Sequence, residues 1–365
     1  MTLEISNKIE ELRSKYGIPF LEAIAYKGDE CVFKKTFGEI KSGNKYFQMY
    51  SCSKPITVFA AMLLVDRGLV SLDDEVEKYL PEMKDCFILD DDGNKRAPKV
   101  KMQIYHLMTM TAGFDYNLSR QPVVDLVKEN PNASLRDFVK AFVKSPLLFD
   151  PGERFQYGIS HDILAAVIEA ASGKRFSEFV NENIFKPLSM NDSFFDNREV
   201  PLVEMYTYDQ DGSIVLRGNE NRLILTPNYE CGGAGLVCSI DDYASFARML
   251  ASGGFTPDGK RLMGKEAFDL MIEEQFEKAY DKKRFNCAQG VDYGYGLGVR
   301  VRKNATEWGL PIGEFGWDGA AGSYIMADHV NNISVVVGMN VLGWPSHLRG
   351  FHLDIVKAVY ESIVK

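Results

Sequence analysis

The sequence predicts an α/β sandwich with a mainly helical region inserted into it. Three observations carry that expectation: β-rich runs cluster near both ends of the chain, an amphipathic helical pattern lies outside them at each terminus, and the long middle is dominated by helical periodicity and loops. Strands from both ends can share one sheet only if the chain between them leaves and returns. The middle then becomes a second subdomain, and the cleft between the two is the natural place for a site.

Leu3, Ile5, Ile9 and Leu12 recur at near-helical spacing over residues 2–15, and Gly17-Ile18-Pro19 ends the pattern. Runs 22–26 and 31–37 read as strands joined by a turn at Lys27-Gly28-Asp29-Glu30. An apolar helical stretch, 55–65, closes at Asp66-Arg67-Gly68, and a second, 163–171, stops at Ser172-Gly173. At the far end, 295–301, 323–327 and 333–339 are β-rich, and 352–364 is an amphipathic helix. Residues 1–49 and 286–365 therefore form a discontinuous α/β part and residues 50–285 a mainly helical part with loops, within one domain spanning 1–365.

With 365 residues, 45% of them hydrophobic, the chain can bury a large core and is long for one compact unit, which suits two subdomains. A net charge of −9 argues against nucleic acid or an anionic membrane as partner and leaves a small molecule as the expected ligand. No run approaches the roughly 18 apolar residues of a membrane span, and the first dozen residues lack a signal-peptide pattern, so the expected location is cytoplasmic. Cysteines 31, 52, 86, 231, 238 and 287 form no Cys-x-x-Cys pair and are expected as reduced thiols. The five histidines show no metal-binding spacing, and Asp90-Asp91-Asp92-Gly93 fails the offsets of a calcium loop; no metal and no cofactor are expected.

Chemistry concentrates at Ser51-Cys52-Ser53-Lys54, at the head of the apolar helix. Residues three apart share a helix face, so the serine hydroxyl and the lysine amine meet. The positive end of the helix disfavours added charge on Lys54, and a neutral amine can take the Ser51 proton while the oxygen attacks an acyl carbon. Cys52 is rotated about 100° away and reads as packing. A second Ser-x-x-Lys, Ser42 to Lys45, sits in a polar, glycine-containing turn. Tyr157 follows the Pro151-Gly152 turn; its phenol either shuttles protons beside the lysine or simply packs. Ser160-His161-Asp162 does not make a catalytic triad, since consecutive side chains point apart, and there is no Gly-x-Ser-x-Gly elbow. The glycine-rich run 316–324 either lets backbone N–H groups approach a substrate or makes only a hairpin.

Taken in order, Ser51-Cys52-Ser53-Lys54-Pro55, the stretch 69–76, His106-Leu107-Met108-Thr109-Met110-Thr111-Ala112-Gly113 and Gly232-Gly233-Ala234-Gly235-Leu236 resemble the serine β-lactamase and penicillin-binding-protein superfamily, in particular its class C-like group with the family VIII esterases. The resemblance covers most of the chain and implies a central antiparallel sheet, Ser51 as acylated nucleophile, Lys54 and Tyr157 as general base and acid, and an oxyanion hole from the N–H groups of Ser51 and Ala320. Where the family has Tyr-x-Asn this chain has Tyr157-Gly158-Ile159, and where β-lactamases have Lys-Thr-Gly it has Trp317-Asp318-Gly319. Ile159, Trp317, Asp318 and Gly319 are thus expected to contact substrate without a carboxylate-binding cation. The expected activity is that of a serine hydrolase on a small ester. The alternatives are an amidase or peptidase with weak β-lactamase activity, or a catalytically silent penicillin-binding-like sensor.

Overall fold

Alternation along single strands decides the architecture. The computed structural model describes residues 2–276, 292–343 and 350–363. In strand β1 (Phe20–Lys27), Phe20 and Ile24 enter one hydrophobic cluster while Leu21, Ala23 and Ala25 enter another. A strand has period two, so both faces of this sheet are buried. β1 pairs with β2 (Glu30–Gly38), and the sheet is completed by β3 (Tyr293–Tyr295), β4 (Arg300–Arg302), β5 (Phe315–Asp318), β6 (Tyr324–Asp328) and β7 (Ile333–Gly338). The order is β3-β4-β5-β6-β7-β1-β2, antiparallel throughout. The central antiparallel sheet is thus present, with strands from both ends of the chain.

One face carries helix α1 (Thr2–Lys15) and the C-terminal helix α5 (Phe351–Ile363). Ile5, Ile9 and Leu12 pack there with Phe351, Ile355 and Val359, whereas Leu3 is exposed. The other face meets the helical region, including α2 (Ser53–Asp66), α3 (Ser160–Ser172) and α4 (Ile240–Ala251). Helix α2 is buried all round from Ser53 to Leu64, as a helix apolar on every side must be. Short strands Phe47–Gln48, Ser193–Phe194 and Val237–Cys238 form a small sheet beside it and tie the segment before Ser51 to the 231–236 turn. Among the described residues no helix is long and apolar enough to cross a membrane.

Two details differ from the pattern reading. Residues 295–301, expected as one strand, are the ends of β3 and β4 with a turn between; Gly298 is left-handed (φ 71°), and a methyl there would lie 2.3 Å from Val58 Cγ2. The strand β5 is masked in the sequence by Gly316, which is required because a methyl would approach the Ile325 carbonyl to 2.0 Å and crowd buried Arg300. The expected 285/286 subdomain boundary, Cys287, His347 and the last residue of the expected terminal helix lie outside the described residues.

Candidate active site

The nucleophile position is built from a strained turn. Tyr50 has φ 46°, unusual for a residue with a Cβ, and starts the single 3-10 turn Tyr50–Cys52 that runs into α2. Such a conformation costs about 1–3 kcal/mol and persists only when its surroundings hold it. Here the Tyr50 ring is packed with Met205 and Ala321, and its carbonyl accepts the Ser53 hydroxyl at 2.6 Å. The Ser53 oxygen in turn accepts the Leu236 N–H at 2.9 Å. Ser51 is left at the helix head, 9% exposed.

Lys54 is fully buried, and its Nζ lies 3.1 Å from Ser51 Oγ, 2.9 Å from the Tyr116 hydroxyl and 2.8 Å from the Gly233 carbonyl. It also stands 4.5 Å from the centroid of the Tyr157 ring. Burial pushes the amine down to about 8, partly opposed by the Asp162 charge. The three contacts suit proton uptake. A neutral amine donates to the Gly233 carbonyl and the Tyr116 oxygen and keeps its lone pair for the Ser51 hydroxyl; an ammonium has an acceptor for each of its three protons.

The Tyr157 oxygen accepts the Trp317 indole N–H at 3.0 Å and is hydrogen-bonded to Ser51. An indole N–H only donates, so the phenol proton is free to point at Ser51. Burial pushes the phenol well above its ordinary range, so it is a proton carrier in the resting site and not a standing phenolate. Trp317 stacks on Tyr157 (centroids 5.8 Å apart, planes at 26°) and meets Tyr295 edge-on. Gly319 closes the β5–β6 hairpin through its N–H to the Ser323 carbonyl (2.7 Å), and a methyl there would lie 2.4 Å from the Met49 carbonyl. That close approach sets the hairpin tip against the segment leading into Ser51. Ala320 is exposed at the tip, and among the described residues its N–H has no hydrogen-bonding partner.

The structure therefore brings Ser51, Lys54, Tyr157, Trp317 and the Gly319-Ala320 tip together. Ile159 is buried in the main core and immediately precedes α3; Asp318 lies half-buried at the end of β5. Cys52 is buried against the Trp317 carbonyl, and burial pushes its thiol up, which disfavours a thiolate. Among the described residues the Ser160 hydroxyl and His161 Nδ1 have no hydrogen-bonding partner, burial pushes His161 down to about 3, and no triad forms there. Sequence reasoning missed Tyr116, weighed Asp162 only as a triad member and saw Gly233 only as a turn. Tyr116 lies 62 positions from Lys54, and only the fold brings them together.

A buried lysine amine on a serine hydroxyl at a helix head, beside the tip of the β5–β6 hairpin, is the arrangement that the resemblance to the active-site-serine family implies. The sequence pattern of the β-lactamase family matches residues 5–358, and the chain belongs to that family. It is a serine hydrolase. Esterase EstB of Burkholderia gladioli is 27% identical over 350 residues, covering 87% of this chain and 83% of EstB. The fold is that of EstCE1, described as a hydrolase with promiscuous acyltransferase activity (TM-score 0.78, 22% identity, 98% of this chain and 99% of that one). Unliganded simvastatin synthase of Aspergillus terreus is also similar (TM-score 0.79, 19% identity, 98% of both chains).

Proposed function

We propose that this chain is an esterase that cleaves small neutral acyl esters through an acyl-enzyme on Ser51. The observation that carries the reading is the fully buried Lys54 amine, lowered to about 8 and 3.1 Å from Ser51 Oγ. Lys54 takes the Ser51 proton as Oγ attacks the acyl carbon, and the N–H groups of Ser51 and Ala320 receive the developing oxyanion. Tyr157 gives its proton to the departing alkoxide, and the Lys54 ammonium, 4.5 Å from the centroid of the Tyr157 ring, returns a proton to the phenolate. Water then enters where the alcohol left and gives a proton to Lys54 as its oxygen bonds the acyl carbon; the acyl–Oγ bond breaks as Ser51 takes that proton back, and the acid leaves.

Two lines support an ester over a β-lactam. Trp317 stands where a carboxylate-binding cation would, and its one polar hydrogen is already donated to Tyr157. EstB is named an esterase, and EstCE1 is described as a hydrolase that also transfers acyl groups. The test compares acetyl and butyryl esters with a penicillin and a cephalosporin, on wild type and Ser51→Ala, with a fluorophosphonate adduct mapped by mass spectrometry. The expected result is an adduct on Ser51 and higher kcat/KM on the esters. β-Lactam values equal to or above the ester values overturn the ester reading, and faster cleavage of short amides favours the amidase alternative.

A further inference from the structure

We propose that Asp162 is a positioning residue for Lys54: its buried carboxylate fixes the Gly233 peptide on which the amine rests and supplies the negative charge that faces it inside the site. The inference rests on the reading of Ser51 and Lys54 just given.

Asp162 is in the first turn of α3 and fully buried, yet it does not cap its own helix, whose N-cap has no side-chain hydrogen bond. Its Oδ1 instead accepts the Gly233 N–H at 3.3 Å, and the carbonyl of the same glycine accepts Lys54 Nζ at 2.8 Å. One residue thus links carboxylate to amine. A methyl there would lie 2.9 Å from Asp162 Oδ2 and 3.2 Å from the Tyr116 hydroxyl, so any larger residue would displace the carboxylate. Gly232 clamps the same pair of helices: its carbonyl accepts the Thr57 hydroxyl of α2 at 2.6 Å, and a methyl on it would meet the His161 carbonyl of α3 at 2.6 Å. Among the described residues Asp162 Oδ2 makes no hydrogen bond of ordinary geometry, and only the weak Cys231 thiol donor and the Tyr229 hydroxyl stand beside the carboxylate. A buried charge is tolerated when another charge compensates it, and Lys54 does so.

The surrounding titratable groups leave this pairing little competition. Cys52 precedes α2, Tyr116 and Tyr157 lie across the site, and Tyr229 and Cys231 flank the carboxylate; burial pushes all five up, toward their neutral forms. His161 is held neutral by burial. Asp318, half-buried at the end of β5, is the second carboxylate that acts on Lys54, and it acts more weakly. Burial also pushes the Asp162 carboxyl up, opposed by Cys231, Lys54 and the Gly233 N–H, while the positive end of α3 favours its ionised form. Desolvation alone would leave Lys54 a much weaker base. The Asp162 charge holds the amine near the pH at which a general base works best.

The test is the pH dependence of kcat/KM on a neutral ester for wild type, Asp162→Asn, Asp318→Asn and Ser51→Ala. Asp162→Asn keeps an oxygen for the Gly233 N–H and removes the charge. Its acidic limb is expected to move to lower pH by about one unit, as loss of a close opposite charge does, with a lower plateau kcat. Asp318→Asn is expected to move it less. An acidic limb that stays at the wild-type position in Asp162→Asn, whatever the loss of stability, overturns the proposal. Activity retained by Ser51→Ala would instead overturn the reading of the site itself. A reciprocal measurement does not depend on the folding of the Asp162 variant: the carbon-13 carboxyl signal of Asp162 is expected to titrate at higher pH in Lys54→Met than in wild type, and identical titrations overturn the proposal.

Discussion

Replacing Lys54 by methionine should abolish activity and also change how stability depends on pH, in a direction set by burial. Free lysine titrates at 10.5 and Lys54 at about 8, because the buried site disfavours the ammonium. That fall corresponds to roughly 3 kcal/mol. Between pH 8 and 10.5 the unfolded chain holds a proton on this lysine that the folded chain does not, so stability rises with pH in that window. Below about pH 8 the whole cost is present. Methionine removes it but leaves the Gly233 carbonyl and the Tyr116 hydroxyl without the amine, a loss of about 1–3 kcal/mol. The two effects nearly cancel at pH 7, and the variant should be about as stable as wild type or slightly more so. From pH 7 to 10, however, wild type should gain roughly 2–3 kcal/mol on the variant. Urea denaturation of both proteins at pH 7, 8, 9 and 10 measures the difference and cancels titrations common to both. Two parallel stability curves would refute a lowered Lys54 and with it a lysine general base.

The kcat/KM of wild type on a neutral ester should rise through about pH 8 as the Lys54 amine becomes free, with about one tenth of the plateau left at pH 7; a flat profile from pH 6 to 9 contradicts it. Ser51→Ala should lose several powers of ten in kcat while Cys52→Ala keeps most of its activity, and the reverse pattern would make the thiol the nucleophile. Losses in Lys54→Ala, Tyr157→Phe and the double variant should be strongly non-additive, since both side chains act on the one Ser51 oxygen; additive losses in log rate argue for separate roles. Trp317→Phe keeps a ring against Tyr157 but removes its hydrogen-bond donor, so kcat should fall by roughly ten-fold, the scale of one hydrogen bond of about 1–1.5 kcal/mol, with KM for small esters little changed. An unchanged kcat with a raised KM would make Trp317 a substrate wall alone.

What the sequence revealed and what it hid divide along the distance over which the physics acts. The Ser51 to Lys54 contact is helical spacing, three residues on one face, and needs no tertiary information. The terminal helices and the strands β1, β2, β6 and β7 are legible because alternation and amphipathicity are local patterns. β5 was hidden because Gly316 looks like a breaker, and the β3–β4 turn because Gly298 sits inside a β-rich run; both glycines are demanded by neighbours far along the chain, the Ile325 carbonyl and Val58. Tyr116 was hidden for the same reason: nothing around Phe114-Asp115-Tyr116 marks it until α2 and the 232–233 turn bring Lys54 to it.

The placement of the two helix starts makes the site asymmetric. Lys54 lies in the first turn of α2, where the helix field opposes its charge, and Asp162 lies in the first turn of α3, where the field supports its own. The Gly232-Gly233 turn, bonded to Thr57 and Lys54 on one side and to Asp162 on the other, holds the two starts together. A base poised between neutral and charged follows from that opposition: burial and the field of α2 push the amine toward neutrality, and the carboxylate carried by α3 pulls it back. The Trp317 substitution adds nothing to this balance, since an indole is neutral, but it hands Tyr157 a donor that cannot accept a proton in return. Once Lys54 is neutral, the hydrogen bonds can run one way, from Trp317 to Tyr157 to Ser51 to Lys54, and the one mobile proton at the nucleophile moves toward the amine.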